Sequence, residues 1–183
     1  MWRERKPVIL VCTGVHQEWA GIYSMYYAME EIITNPKLLD LRRNIHFIIY
    51  PMLNPTAAFD EQYKMRNPDG IQVHHNFEVG HGENGAVQGD RYYGGETPLS
   101  IPETQYFDAT MKKYKDDLAC VLSCHNNVVD EKYGTSFIWC SCATYFMTNL
   151  GNRLADKMSA AWYQKHGTAL IEGIRHANDY ALE

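Results

Sequence analysis

Two histidines follow short apolar runs of the chain, in positions where a side chain can bind a ligand or a metal ion. His16 and Glu18 come after the run 8–12, VILVC, and His125 comes after the run 118–123, LACVLS. Apolar runs of this length predict buried β-strands. In α/β folds, ligands and metals bind at the carboxyl ends of such strands. We therefore regard these three side chains as candidates for chemistry.

Each candidate also has an ordinary interpretation. His16 and His125 could be loop histidines without a ligand, and Glu18 could be a charge at the start of a helix, where the helix dipole favours a carboxylate. The remaining organisation of the chain decides between these interpretations.

Four of the five cysteines form the patterns C-x3-C and C-x-C, at Cys120, Cys124, Cys140 and Cys142. Neither pattern is the C-x2-C turn of zinc clusters, and Cys120 lies within an apolar run. We therefore predict buried thiols rather than a structural zinc site. An odd number of cysteines favours reduced thiols and a cytoplasmic location.

Composition points to one domain over residues 1–183, with 45% hydrophobic residues to form a core. The net charge of −5 argues against nucleic acid or an anionic membrane as a partner. No apolar run has the length of a membrane span, and the basic start MWRERKP precedes a run too short for a signal peptide. The oligomeric state stays open.

The periodicity of apolar residues predicts an α/β fold with a mixed, mostly parallel sheet flanked by helices. The near-continuous apolar character of the strands is typical of a sheet covered on both faces. Residues 54–102 are irregular, which in a compact domain indicates a functional or a disordered segment. The other predicted elements are helix 20–33 ending at Asn35-Pro36, strand 45–50, a helix capped by Ser100 and running to about 116, strand 136–141 and helix 143–166.

Four segments, in this order, resemble the zinc carboxypeptidase family, with its carboxypeptidase A-like fold, and in particular its small bacterial and phage-encoded members. VILVCTGVHQEWAG resembles the strand and loop with the His-x-x-Glu zinc pair. IIYPMLNP with RNPDGIQVHHNF resembles the segment that ends in Gly-Val-Asp-Leu-Asn-Arg-Asn-Phe. TPLSIPET resembles the Ser-Glu-Pro-Glu helix start, and LACVLSCHNN resembles the strand that delivers the third zinc ligand. The resemblance covers about residues 7–145.

The resemblance implies a zinc-dependent hydrolase of peptides or peptide-like amides. His16, Glu18 and His125 match the zinc ligands, and such a site keeps an open position for an activated water molecule. Arg66 matches the arginine that stabilises the oxyanion.

The resemblance also implies residues that bind substrate and move protons. His74 and His75 fall where the family places the Asn and Arg that bind the terminal carboxylate of the substrate. Tyr163 resembles the mobile substrate tyrosine. Glu183 matches the general base near the end of the chain, with Glu172 as the alternative.

The chain departs from the family pattern at several points. One residue separates His16 from Glu18 where the family has two, Gln72 stands in place of an Asp, and Ile101 stands in place of the first Glu of Ser-Glu-Pro-Glu. The chain is also much shorter than a usual family domain. It therefore reads as a trimmed variant, a fragment or a degenerate copy.

Two alternatives follow from these departures. The first is a catalytically degenerate member that binds a peptide or a protein. The second is a site with three histidines, in which His74 or His75 replaces Glu18 and the chemistry is that of an amidase or deacylase.

Overall fold

The structure is a computed structural model that describes residues 5–60, 63, 65–125, 139, 140, 157, 175 and 176. The chain divides into two compact units, Met1–Asn126 and Asn127–Glu183. The predicted strand 136–141 and helix 143–166 lie mostly outside the described residues. In the second unit, the short strands β4 (Trp139–Cys140) and β5 (Arg175–His176) pair in parallel. One domain over the whole chain stays a prediction.

Three parallel strands form the sheet in the described residues of the first unit. They are β1 (Val8–Cys12), β2 (His46–Tyr50) and β3 (Leu118–Ser123), in the order β2-β1-β3. All three agree with the predicted strands to within one residue. Helices connect and flank them, which confirms the predicted α/β class with a parallel sheet.

The helices of the first unit are α1 (Trp19–Thr34), α2 (Leu39–Asn44), α3 (Pro55–Phe59) and α4 (Pro102–Tyr114). Helix α1 ends as predicted at Asn35-Pro36, because the residue before a proline disfavours helical backbone. Within the described part of the chain, no helix has both the length and the apolar character needed to span a membrane.

The central strand β1 supplies most of the buried sheet residues. Val8, Leu10, Val11 and Cys12 are all buried. The expectation of a fully buried third strand is wrong: β3 alternates between half-buried and exposed residues, and Val121 is 42% exposed. The reason is position, since β1 has a strand on each side whereas β3 is an outer strand of the described sheet.

The predicted N-cap of the fourth helix is also wrong. Helix α4 begins at Pro102, its N-cap residue is Ile101, and no side chain caps it. The hydroxyl of Ser100 instead lies 2.8 Å from the amide nitrogen of Asn76. The side chain of Ser100 therefore stabilises the preceding loop and does not cap the helix.

Buried asparagines order the long segment 54–102, which is irregular as predicted apart from α3 and a 3-10 turn at Val73–Asn76. The side chain of Asn54 accepts a hydrogen bond from a backbone N–H of α3 at 3.1 Å. Asn67 accepts from two backbone N–H groups of its own turn, at 3.1 and 3.0 Å. These bonds replace the backbone ladder of a strand or helix.

Cys12 is a buried thiol, whereas Cys124, which the sequence predicts to be buried, is a half-buried thiol. Burial raises the pKa of Cys12 to about 11, because a thiolate is poorly solvated there. Burial also raises the pKa of Cys124.

Cys12 should therefore resist alkylation. A rise in pKa from 9.0 to about 11 lowers the thiolate fraction at neutral pH about 100-fold, and the thiolate is the reactive form. We expect iodoacetamide to modify Cys12 at least about 100-fold more slowly in the folded protein than in urea. Site-resolved mass spectrometry measures both rates, and equal rates would contradict the buried thiol.

Candidate metal centre

The candidate residues lie at the carboxyl ends of two neighbouring parallel strands. The register of β1 and β3 places Cys12 opposite Ser123. The ladder continues for one more bond, in which the backbone N–H of Cys124 donates to the carbonyl of Cys12 at 2.9 Å. His125 therefore emerges beside the loop that follows β1, at the edge where α/β folds bind ligands.

A tight turn brings His16 and Glu18 together. The backbone N–H of Glu18 donates to the carbonyl of His16 at 2.8 Å, which is the i to i+2 bond of a γ-turn. The two side chains then meet, with Nδ1 of His16 3.2 Å from Oε1 of Glu18. The turn explains how a spacing with one residue between them can still form a His-Glu pair.

His125 completes the group from the other strand. Its Nδ1 lies 2.7 Å from Oε1 of Glu18, and its Nε2 lies 3.0 Å from the hydroxyl of Ser123. One ligand atom from each of His16, Glu18 and His125 falls within 4.8 Å of the others. Of the described residues, these three form the one group of histidines, cysteines or carboxylates that could hold a metal ion, and it contains no cysteine.

The residues fit a zinc ion. Glu18 is only 4% exposed, and neither its Oε2 nor Nε2 of His16 has a hydrogen-bond partner among the described residues. Leaving a buried polar atom unpaired costs about 1–3 kcal/mol, so a bound cation would stabilise this arrangement. Two imidazoles and one carboxylate are also the donor set of many catalytic zinc sites.

The electrostatics keep Glu18 in the form that binds metal. Burial alone would raise its pKa, but the hydrogen bonds with His125 and His16 outweigh this effect and lower the pKa to about 2. The side chain is therefore a carboxylate at neutral pH, as metal ligation requires.

His74, in the 3-10 turn Val73–Asn76, lies beside the metal group, which consists of His16, Glu18 and His125. Its ring centroid is 4.7 Å from that of His16 and 4.9 Å from that of His125. Desolvation, followed by the proximity of these two histidines, lowers the pKa of His74, although the residue as a whole stays solvent-exposed. At neutral pH His74 is thus a neutral imidazole at the surface of the cluster.

His75 has different neighbours from His74. Its ring packs edge-on against Tyr92, at 5.6 Å between centroids, and its Nδ1 lies 3.3 Å from the side-chain nitrogen of Asn84. The structure therefore separates the two adjacent histidines that the sequence pattern treats as a pair.

Arg66 lies on the segment that leads to the histidine turn. Its backbone forms an isolated antiparallel bridge with Gln72, two residues before His74. Throughout the described segments, no hydrogen bond or ion pair joins its guanidinium to the metal group. Its predicted role at the oxyanion stays a prediction. Tyr163, Glu172 and Glu183 lie outside the described residues, so their predicted roles stay predictions.

Asn76 is a site residue that the sequence reasoning missed. It is fully buried, its amide nitrogen lies 2.6–3.1 Å from three oxygens, and its carbonyl oxygen accepts two hydrogen bonds. The partners are the carbonyls of Gly94 and Thr97, the hydroxyls of Ser100 and Thr104, and the N–H of Ser100. Asn76 thereby fixes the turn that carries His74. The available signal was its match to the last Asn of the family segment.

Gly94 packs against the same turn. A Cβ atom at this position would overlap the backbone carbonyl of His75. We expect Gly94→Ala to lower the free energy of unfolding by about 1–3 kcal/mol, as overpacking does, and to weaken zinc binding by moving the turn. Urea titration measures the first effect. Glu96→Ala, at an exposed position, is the control, and equal stability of the two variants would refute the close contact.

Comparison with known proteins places these features in one family. The family model for zinc carboxypeptidases matches residues 1–169. Homo sapiens carboxypeptidase O is 29% identical over 140 residues, which cover 66% of this chain and 37% of that protein. A zinc carboxypeptidase of Simulium vittatum is 25% identical over 142 residues, which cover 68% of this chain and 47% of that protein. The crystal structure of carboxypeptidase A from Helicoverpa armigera has a TM-score of 0.73 at 18% identity, covering 87% of this chain and 42% of that one.

The chain thus spans less than half the length of each of these relatives. The family model nevertheless matches most of the chain, and the fold agrees. The chain belongs to the zinc carboxypeptidase family, which is zinc-dependent and acts on peptide substrates.

Proposed function

We propose that this protein is a metallocarboxypeptidase-like hydrolase that cleaves a peptide or peptide-like amide bond with zinc held by His16, Glu18 and His125. One observation carries the proposal: one ligand atom from each of three residues lies within 4.8 Å of the others, and two donor atoms of these residues are buried without a partner in the described part of the chain. Membership in the family supports the peptide substrate.

The chain's own residues hold and orient the metal site. Glu18 contributes a carboxylate from a buried position, and Ser123 fixes the ring of His125 through its Nε2 atom at 3.0 Å. Such a second contact to a liganding imidazole sets its orientation and its affinity for metal. When bound, zinc would act as a Lewis acid, which would polarise the substrate carbonyl and lower the pKa of a bound water molecule.

We propose Arg66 as the cation that stabilises the developing oxyanion, since a guanidinium is a strong donor to negatively charged oxygen. His75 and Tyr163 would contact the substrate, and Glu183 or Glu172 would take the proton of the attacking water. The resemblance of Arg66, His75 and Tyr163 to family positions supports their assignments. The assignment of Glu183 depends on the resemblance of the closing segment, which lies beyond the matched residues 1–169, and Glu172 is the alternative base.

The test uses the full chain and a panel of peptides, each with either a free or an amidated carboxyl terminus. The protein is stripped with a chelator, assayed, reloaded with zinc and assayed again. We expect zinc-dependent release of the last residue from the free peptides alone. Equal cleavage of amidated peptides would instead favour amidase chemistry. Zinc binding without hydrolysis of any peptide would overturn the proposal that the protein is an enzyme and would favour the degenerate, peptide-binding alternative.

A cytoplasmic location remains part of the proposal. The odd number of cysteines and the thiols at Cys12 and Cys124 support a reducing environment. Fractionation of cells that express a tagged copy tests it, with recovery outside the cytoplasm as the contrary result.

A further inference from the structure

Three imidazole rings, rather than two, form one cluster next to Glu18. The ring centroids are 4.7 Å apart for His16 and His74, 4.9 Å for His74 and His125, and 5.2 Å for His16 and His125. His74 is therefore closer to each of the two matched zinc histidines than those two are to each other.

These separations suit three imidazoles that share one metal ion. With zinc–nitrogen bonds of about 2.0–2.1 Å and tetrahedral angles, the centres of two liganding rings lie about 5 Å apart. The plane of the His74 ring is edge-on to that of His16, at 87°, and is tilted by 52° from that of His125, so neither contact is a face-to-face stack.

The fold holds His74 at this position. The residue before it, Val73, is fully buried, and Asn76 fastens the end of the same turn through five contacts. The neighbouring His75 packs against Tyr92 instead. The turn therefore selects one histidine of the pair for the cluster.

We propose that His74 is a third histidine ligand, so that four protein donors, His16, Glu18, His74 and His125, bind the metal ion. The inference rests on the metal site of the proposed function and extends it. The three ligand atoms that lie within 4.8 Å of one another belong to His16, Glu18 and His125, so His74 would complete the set only after its ring turns toward them. A fourth protein donor would compete with water for the coordination position that three ligands leave open.

The test counts imidazole ligands in the full chain loaded with Cu²⁺, by pulsed electron paramagnetic resonance of the remote ring nitrogens. We expect three imidazoles in the wild type and in His75→Ala, and two in His74→Ala. Competition with a chromophoric chelator should show zinc affinity at least about 10-fold weaker in His74→Ala and within about twofold of wild type in His75→Ala. Circular dichroism establishes that both variants are folded.

Two imidazoles in the wild type, lost singly in His16→Ala and His125→Ala, would overturn the role of His74 and leave the proposed function standing. An unchanged ligand count in His74→Ala would overturn it as well. Failure of the wild type to bind either Cu²⁺ or zinc would overturn both this inference and the proposed metal site.

Discussion

Glu18→Gln should reduce zinc affinity by more than about 100-fold and abolish zinc-dependent hydrolysis, because the amide keeps the shape of the side chain but removes the charge that binds the cation. Glu18 is buried, and both His16 and His125 contact its Oε1 atom. Chelator competition measures the affinity, and the peptide assay measures the activity.

Glu30→Gln is the matched control for Glu18, since it removes an exposed carboxylate from the same helix. If Glu18 served only as a charge at the helix start, its loss would cost about 0.3–1 kcal/mol of stability and leave zinc binding intact. Zinc affinity of Glu18→Gln within about threefold of the control would therefore refute its role as a ligand.

Asn76→Ala should lower the free energy of unfolding by about 3–5 kcal/mol, which is large for one substitution. The change removes the five hydrogen bonds of this buried side chain, and a net contribution of about 0.5–1.5 kcal/mol per bond accounts for the expected loss. Urea titration of the zinc-free protein measures the effect without a contribution from the metal.

Asn84→Ala is the control for Asn76. Asn84 also bonds a backbone carbonyl, that of Tyr92 at 3.0 Å, but it is exposed, so water replaces the lost partner. We expect a change below about 1 kcal/mol. If the two variants were equally stable, the buried network around Asn76 would not hold the turn as described.

The strands were predictable because their apolar runs are continuous and bounded. VILVC and IHFIIY match β1 and β2 to within one residue, since few other conformations bury so many branched side chains. Burial of the outer strand β3 was not predictable in this way, because it depends on which strands lie beside it. Val121 is as apolar as its counterparts in β1 and yet is exposed.

The metal group was predictable in its members but not in its geometry. The position of His16 and His125 after two apolar runs indicated a shared edge, and the family resemblance supplied Glu18 as the third ligand. The γ-turn that compensates for the short spacing between His16 and Glu18 depends on backbone angles that no residue pattern specifies.

The hydrogen-bond network around Asn76 could not be predicted from the sequence, because buried polar residues in an irregular segment have no periodicity. Asn76 was one polar residue among many, and Ser100 had the type and position of an N-cap but bonds Asn76 across the loop instead. The divergent environments of His74 and His75 arise from that same network, so the pair looked equivalent in the sequence.

Zinc content per chain, measured by mass spectrometry on purified wild type and on His125→Ala, tests the central claim most directly. We predict about one zinc ion per wild-type chain and almost none in the variant, because His125, which follows β3, supplies one of the three ligand atoms. Absence of zinc from the wild type after reloading, or equal zinc in both proteins, would contradict the metal centre described for this chain.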